Sequence, residues 1–208
     1  MPHELLLATR NRGKIREFGR LFSDLPELRL LTLDDVRELP EVVEDGETFE
    51  HNARKKALEI ARVTSMVVLS DDSGLEVDAL GGHPGVRSAR YAGDNASDAD
   101  NNRKLVAELR NVPVVVRTAR YRVVLALADP NGPLGATVHL EEGACEGRIR
   151  LDPCGEHGFG YDPYFEPTGY TCTMAELAHA EKDLISHRAV AARKMRGFLE
   201  SYLPRRRA

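Results

Sequence analysis

Leu5-Leu6-Leu7-Ala8-Thr9-Arg10-Asn11-Arg12-Gly13-Lys14 is the stretch that decides the fold, because the hydrophobic period changes inside it. Four apolar residues in a row read as a short buried strand. From Asn11 the spacing turns helical, with Ile15, Phe18 and Phe22 on one face. A buried strand feeding a helix through a polar turn is a building unit of α/β domains. Outward from it the alternation continues. Residues 28–33 predict a second strand and residues 34–47 an acidic loop. Thr48 is a good N-cap for a long helix whose buried stripe is Phe49, Ala53, Ala57 and Ile60. Residues 66–69 predict a strand ending at Ser70-Asp71-Asp72-Ser73-Gly74, and Leu75, Val77 and Ala79 alternate with acids as in a half-exposed strand. Gly81-Gly82-His83-Pro84-Gly85 reads as loop.

Ser97 and Asp100 form a capping-box start for a helix to about Arg110, with Leu105, Val106 and Leu109 inward. Residues 120–128 and 137–142 predict a strand pair joined through Asn131-Gly132-Pro133, and residues 143–149 a further strand. The last helix spans residues 186–202, with Ala191, Met195, Phe198 and Tyr202 on one stripe. The expectation is one α/β domain over residues 1–208, with residues 204–208 a flexible basic tail.

Composition excludes several classes. The net charge is −4, too acidic for a protein that coats nucleic acid. No apolar run reaches the ~18 residues of a membrane span, and Met1-Pro2-His3-Glu4 lacks the pattern of a signal peptide. Cys145, Cys154 and Cys172 are odd in number and widely spaced, so a disulfide framework is not expected and a reducing cytoplasm is. From Lys182 onward eight Lys or Arg face two acids, which reads first as a solvated helix face with a frayed end.

Five segments could carry chemistry. The turn Thr9, Arg10, Asn11, Arg12, Gly13, Lys14 opens a helix, where free amides and Lys14 suit an anion; an ordinary turn is the plain alternative. It is not a P-loop, since Ile15 stands where a Mg²⁺-binding hydroxyl belongs. Asp71 and Asp72 repel one another unless a cation or donors are near, though Asp, Ser and Gly also make acidic turns. Asn52 and Lys56 border the stripe begun by Phe49, with Glu44 upstream, and Lys56 could equally snorkel to water. Phe159, Gly160, Tyr161 and Asp162 suit a stacking surface for a flat ring, or a turn with two core aromatics. Cys154 and His157 lack a second pair for zinc. Lys182 and Ser186-His187-Arg188 put cations in a first helical turn against the helix dipole, a cost that an anionic or carbonyl-rich ligand would offset.

Taken in order, these segments, together with residues 84–93 (Pro84-Gly85-Val86-Arg87-Ser88-Ala89-Arg90-Tyr91-Ala92-Gly93), resemble the inosine triphosphate pyrophosphatase family, the Ham1- or RdgB-like purine nucleotide pyrophosphatases. The resemblance covers nearly the whole chain. It implies a mixed central β-sheet flanked by helices, in two lobes with an active-site cleft between them, and a homodimer. It implies Mg²⁺-dependent hydrolysis of XTP, dITP and ITP to the monophosphate and pyrophosphate, with no nucleic-acid or membrane partner. By the same resemblance, residues Thr9 to Lys14 hold the triphosphate, with Lys56 balancing charge. Glu44 and Asp72 match the metal-binding acids, and Asp72 the catalytic proton acceptor. Ser73 matches a substrate contact. Phe159, Gly160, Tyr161, Asp162, Lys182, His187 and Arg188 match the base pocket. A Maf-like pyrophosphatase, a non-catalytic nucleotide-binding module and a nucleic-acid binder using the C-terminal arginines are the rival readings.

Overall fold

Asn11 shows how local chemistry sets the first element boundary. Its side-chain oxygen accepts the backbone N–H of Lys14, so the chain leaves strand geometry there and a helix begins at Arg12. The computed structural model describes residues 3–36, 39 and 42–207, of which 206 and 207 by backbone only. Residues 1 and 2, four positions of the acidic loop (37, 38, 40 and 41) and residue 208 of the expected tail lie outside the described residues. The strands are β1 (His3–Leu7), β2 (Leu28–Thr32), β3 (Val68–Val77), β4 (Thr118–Ala128), β5 (Val138–Ile149) and β6 (Phe165–Pro167). The helices are α1 (Arg12–Leu21), α2 (Phe49–Thr64), α3 (Asp98–Leu109), α4 (His179–Ile185) and α5 (His187–Tyr202). Leu203–Arg207 forms a short 3-10 turn after α5. None of the helices among the described residues is long and apolar enough to cross a membrane.

The strands join one mixed sheet in the order β2-β1-β3-β4-β5-β6. β1 runs parallel to both β2 and β3, and β6 runs antiparallel to β5. The chain divides into two compact units. The first holds residues 1–72, 123–143 and 188–208, and the second residues 73–122 and 144–187. In the first, Leu5, Leu7, Leu69, Val123, Leu125 and Leu127 pack with Phe18 and Phe22 from α1 and Ala191, Met195, Leu199 and Tyr202 from α5. The intervening residues Leu6, Val68, Val124 and Ala126 are buried as well. Strands covered on both faces read as unbroken apolar runs, which is why residues 5–8 show no alternation. In the second unit, Leu75 and Val77 pack with Leu105 and Leu109 of α3, Ala119, Tyr121, Ile149, Tyr161 and Phe165.

Two boundaries differ from the sequence reading. Ser70-Asp71-Asp72-Ser73-Gly74 does not end a strand; it lies in the middle of the ten-residue β3. The glycine is needed there by close approach rather than by a turn. A side chain at Gly74 would run into the Gly85 carbonyl and sit 2.5 Å from Ser88 Oγ. Residues 143–149 are not a separate strand either; they continue β5 without a break. Gly147 within it lies 2.6 Å, at its virtual Cβ, from the Phe165 ring, so a glycine that looks like a breaker marks the place where β6 closes on β5.

Candidate active site

In the first unit, β3 carries the two aspartates and helices bring their partners. Asp71 is wholly buried, and its Oδ2 receives Lys14 Nζ at 2.8 Å and faces Arg188 Nε at 3.7 Å. Burial alone would raise its pKa. Lys14, Arg188 and Lys56 outweigh burial and hold it at about 2, so it is a carboxylate at any working pH. Arg188 also gives Nη1 to Glu17 Oε2 at 2.9 Å, and both of these side chains are buried. Lys14, Asp71, Arg188 and Glu17 thus form a quartet of two cations and two carboxylates.

Asp72 behaves in the opposite way. Burial first, and then the nearby charge of Glu44, push its pKa up to about 6. Asn52 of α2 donates Nδ2 to Asp72 Oδ2 at 2.9 Å. The same amide's oxygen accepts the Gly46 N–H at 2.8 Å, which ties the acidic loop to the helix. Lys56, one turn further along α2, is ion-paired with Glu44. Burial works against its charge, but Asp71 and Glu44 keep its pKa above the ordinary lysine value. Thr9 accepts from the Asn11 N–H at 3.2 Å and so shapes the turn before α1. Arg10 points outward, 3.7 Å from Asp34, Arg12 is exposed, and Gly13 is buried at the helix start.

Two oxygen-donor carboxylates, one of which raises the proton affinity of the other, fit a hard divalent cation. Among the described residues no cluster of three or more His, Cys, Asp or Glu gathers. Among the described residues, Glu44 and Asp72 are the pair that would hold such a cation. Mg²⁺ commonly binds through one or two carboxylates, the rest coming from phosphate oxygens and water.

The second unit holds the aromatic loop. Asp162 is buried, with Oδ2 accepting Lys182 Nζ at 2.6 Å and the Phe159 N–H at 3.0 Å. Lys182 Nζ also lies 5.3 Å from the Phe159 ring centre. α3 clamps the loop from its own side: Gly160 N donates to Asp98 Oδ2 at 2.8 Å, and Asn102 Nδ2 donates to the Gly160 carbonyl at 2.9 Å. Phe159 is half-buried, whereas Tyr161 is packed in the core with its hydroxyl donating to the Ser88 carbonyl at 2.7 Å. His187 is buried and stacked on Tyr121. Ser73, next to Asp72 in sequence, is half-buried. A cavity of about 650 Å³ opens against this loop, lined among others by Asn102, His157, Phe159, Gly160 and Tyr164.

The expected residues therefore fall into two groups. Lys14, Glu44, Lys56, Asp72 and Arg188 meet in the first unit, and Phe159, Asp162, Lys182 and His187 in the second. The chain passes from the second unit to the first between His187 and Arg188. Sequence reasoning passed over Glu17 and Tyr121. Glu17 left a signal: an acid three residues from Lys14, beside Phe18 on the buried face of a helix, needs a cationic partner.

These features define a class: an α/β protein whose central strand presents a buried acid pair to lysines from two helices. The comparisons narrow it. The model of the Ham1 family matches residues 5–198. A dITP/XTP pyrophosphatase of Shouchella clausii (strain KSM-K16) is 46% identical over 98% of this chain and 100% of its own. One of Geobacter sulfurreducens is 49% identical over 90% of this chain and 92% of its own. The solved Ham1 protein of Staphylococcus aureus is 38% identical, with a TM-score of 0.83 over 95% of this chain and 98% of that one. The chain belongs to the Ham1 family.

Proposed function

We propose that this chain is a nucleoside triphosphate pyrophosphatase that hydrolyses XTP, dITP and ITP to the monophosphate and pyrophosphate. The observation that carries the reading is Asp72, a buried carboxyl with raised proton affinity, set in a cluster with Glu44, Lys14 and Lys56. The names of the two relatives, each dITP/XTP pyrophosphatase, support the substrate class.

Triphosphate oxygens repel a nucleophile until their charge is offset. Lys14, at the N-terminal end of α1, and Lys56 supply positive charge for that. Mg²⁺ held by Glu44 and Asp72 would neutralise phosphate charge and lower the pKa of bound water. Asp72, oriented by Asn52, takes the proton of the attacking water as its oxygen bonds to the α-phosphorus. The bond from that phosphorus to the bridging oxygen breaks, and pyrophosphate leaves with the electron pair. Asn52 holds Asp72 Oδ2 through a neutral amide, which orients the carboxylate without adding a charge of its own.

Base choice rests on donors. A lysine ammonium only donates, so Lys182 satisfies the C6 carbonyl of hypoxanthine or xanthine and opposes the amine of adenine. A buried polar mismatch of this kind discriminates by several orders of magnitude. Phe159 offers its ring face to the base. The same reading takes the enzyme to be a homodimer acting on the nucleotide pool of the cytoplasm. The test is a panel of nucleoside triphosphates read out as pyrophosphate, with Mg²⁺ and with chelator. XTP, dITP and ITP should be cleaved with metal only. Cleavage of ATP at an equal rate would overturn the base-reading scheme, and no pyrophosphate from any of them would overturn the reaction.

A further inference from the structure

Tyr121 of β4 is used by none of these steps, yet it touches two of the groups assigned to the base, Asp162 and His187, and is linked to two more through Asp162. Its side chain is buried in the second unit. The hydroxyl donates to Asp162 Oδ1 at 3.2 Å. The other oxygen of that carboxylate holds Lys182 at 2.6 Å and the Phe159 N–H at 3.0 Å. The ring stacks on His187 with 4.8 Å between centres and 9° between planes, and is tilted against Phe165 at 4.7 Å. Lys182 lies on α4, His187 at the start of α5, and Phe159 on a loop between β5 and β6, so no single one of these elements fixes all three. Tyr121, on an eleven-residue strand, reaches all of them, directly or through Asp162.

We propose that Tyr121 is a positioning residue for base recognition: its hydroxyl aims Asp162, and through it Lys182 and Phe159, while its ring face sets the plane of His187. This rests on the reading of the second-unit group as the base site. Asp162 then serves as an internal organiser, with both oxygens occupied by protein donors, rather than as the acceptor for a base N–H. The hydroxyl is the informative part, because phenylalanine would keep the ring in the core and the stack on His187 while withdrawing one donor from a buried carboxylate.

The test is Tyr121→Phe, assayed with dITP, XTP and dATP, with inhibition by pyrophosphate as a probe that carries no base. A hydrogen bond to a charged group supports about a tenfold effect. The expected result is a KM for dITP and XTP raised about tenfold, kcat within about twofold, and dITP-over-dATP discrimination reduced by about the same tenfold factor. Pyrophosphate inhibition should be unchanged. Leu105→Ala, in the same core but out of the site, is the control for stability: it should lower the melting temperature without moving discrimination. Unchanged KM and discrimination in Tyr121→Phe would overturn the proposal. So would a uniform loss that Leu105→Ala reproduces. If the unaltered enzyme cleaves none of the nucleotides, it is the proposed function that fails, which the parent assay reports separately.

Discussion

Replacing Glu17 by alanine tests whether burial, rather than distance, decides what an ion pair is worth in this protein. Glu17 is 5% exposed and Arg188 4% exposed, and they meet at 2.9 Å. Removing the carboxylate leaves the quartet with two cations and one acid, since Asp71 Oδ2 already holds Lys14 at 2.8 Å. Breaking a buried pair from one side costs about 3–5 kcal/mol, because the remaining charge stays desolvated. Asp71 stands 3.7 Å from Arg188 Nε and keeps part of the compensation, so the low end applies, about 3 kcal/mol. For a chain of this size that is roughly 6–12 °C in Tm. The control is Asp45→Ala. Asp45 pairs with Lys55 at a shorter 2.7 Å, but its side chain is 63% exposed, and such pairs contribute little. Urea unfolding followed by circular dichroism, at low and at high salt, reads both variants. Glu17→Ala should lose its stability at either salt, since the buried pair is poorly screened, and Asp45→Ala should match the parent. Equal losses for the two, or a Glu17→Ala loss below about 1 kcal/mol, would refute the reasoning.

Asp72→Asn should abolish turnover while nucleotide binding, followed by titration calorimetry, stays close to the parent; near-normal turnover would remove Asp72 from the chemistry. Gly74→Ala should cost about 1–3 kcal/mol by calorimetry, since the added methyl meets the Gly85 carbonyl across the fold. An unchanged or higher Tm would show that the Gly85 segment yields. Asp71, held at about 2 against an ordinary 3.8, stabilises the folded state at neutral pH by about 2 kcal/mol. Its pKa is depressed on folding, so that stability is fully present above about pH 4 to 5 and is lost as the pH falls through 2. Acid titration of folding in chelator should show this component in the parent and lack it in Asp71→Asn.

How much of this the sequence disclosed depends on how local the cause is. The Thr48 and Ser97 caps act within three residues, and their helices begin where they predict, as α1 does where the spacing turns helical at Asn11. The stripe of Phe49, Ala53, Ala57 and Ile60 is buried as its spacing implies. The path of β3 through Asp71 and Asp72 was not legible, because the donors that let adjacent carboxylates stay extended come from positions 14, 52 and 188. In their absence two aspartates, a serine and a glycine have the composition of a turn. β6 and α4 are too short, at three and seven residues, to show a period. α4 also lacks a Ser, Thr, Asp or Asn cap: Ala178 stands there, and Glu181 reaches back to its N–H. For the candidate site, the residue types in each motif were readable. Their pairings were not: Arg188 turned toward Glu17 and Asp71, and Tyr121 toward Asp162 and His187.

Because the acid pair is mid-strand, between apolar Val68-Leu69 and Leu75 and Val77, folding and the proposed chemistry draw on the same ten residues. Loop-borne sites can be retuned by insertion and deletion, and an acid pair inside a paired strand cannot. A shift of one position along β3 would swap the faces of both acids and turn every apolar neighbour with them. Laboratory evolution of new substrate preferences should therefore accumulate changes in the aromatic loop and on α4, and leave the strand itself untouched.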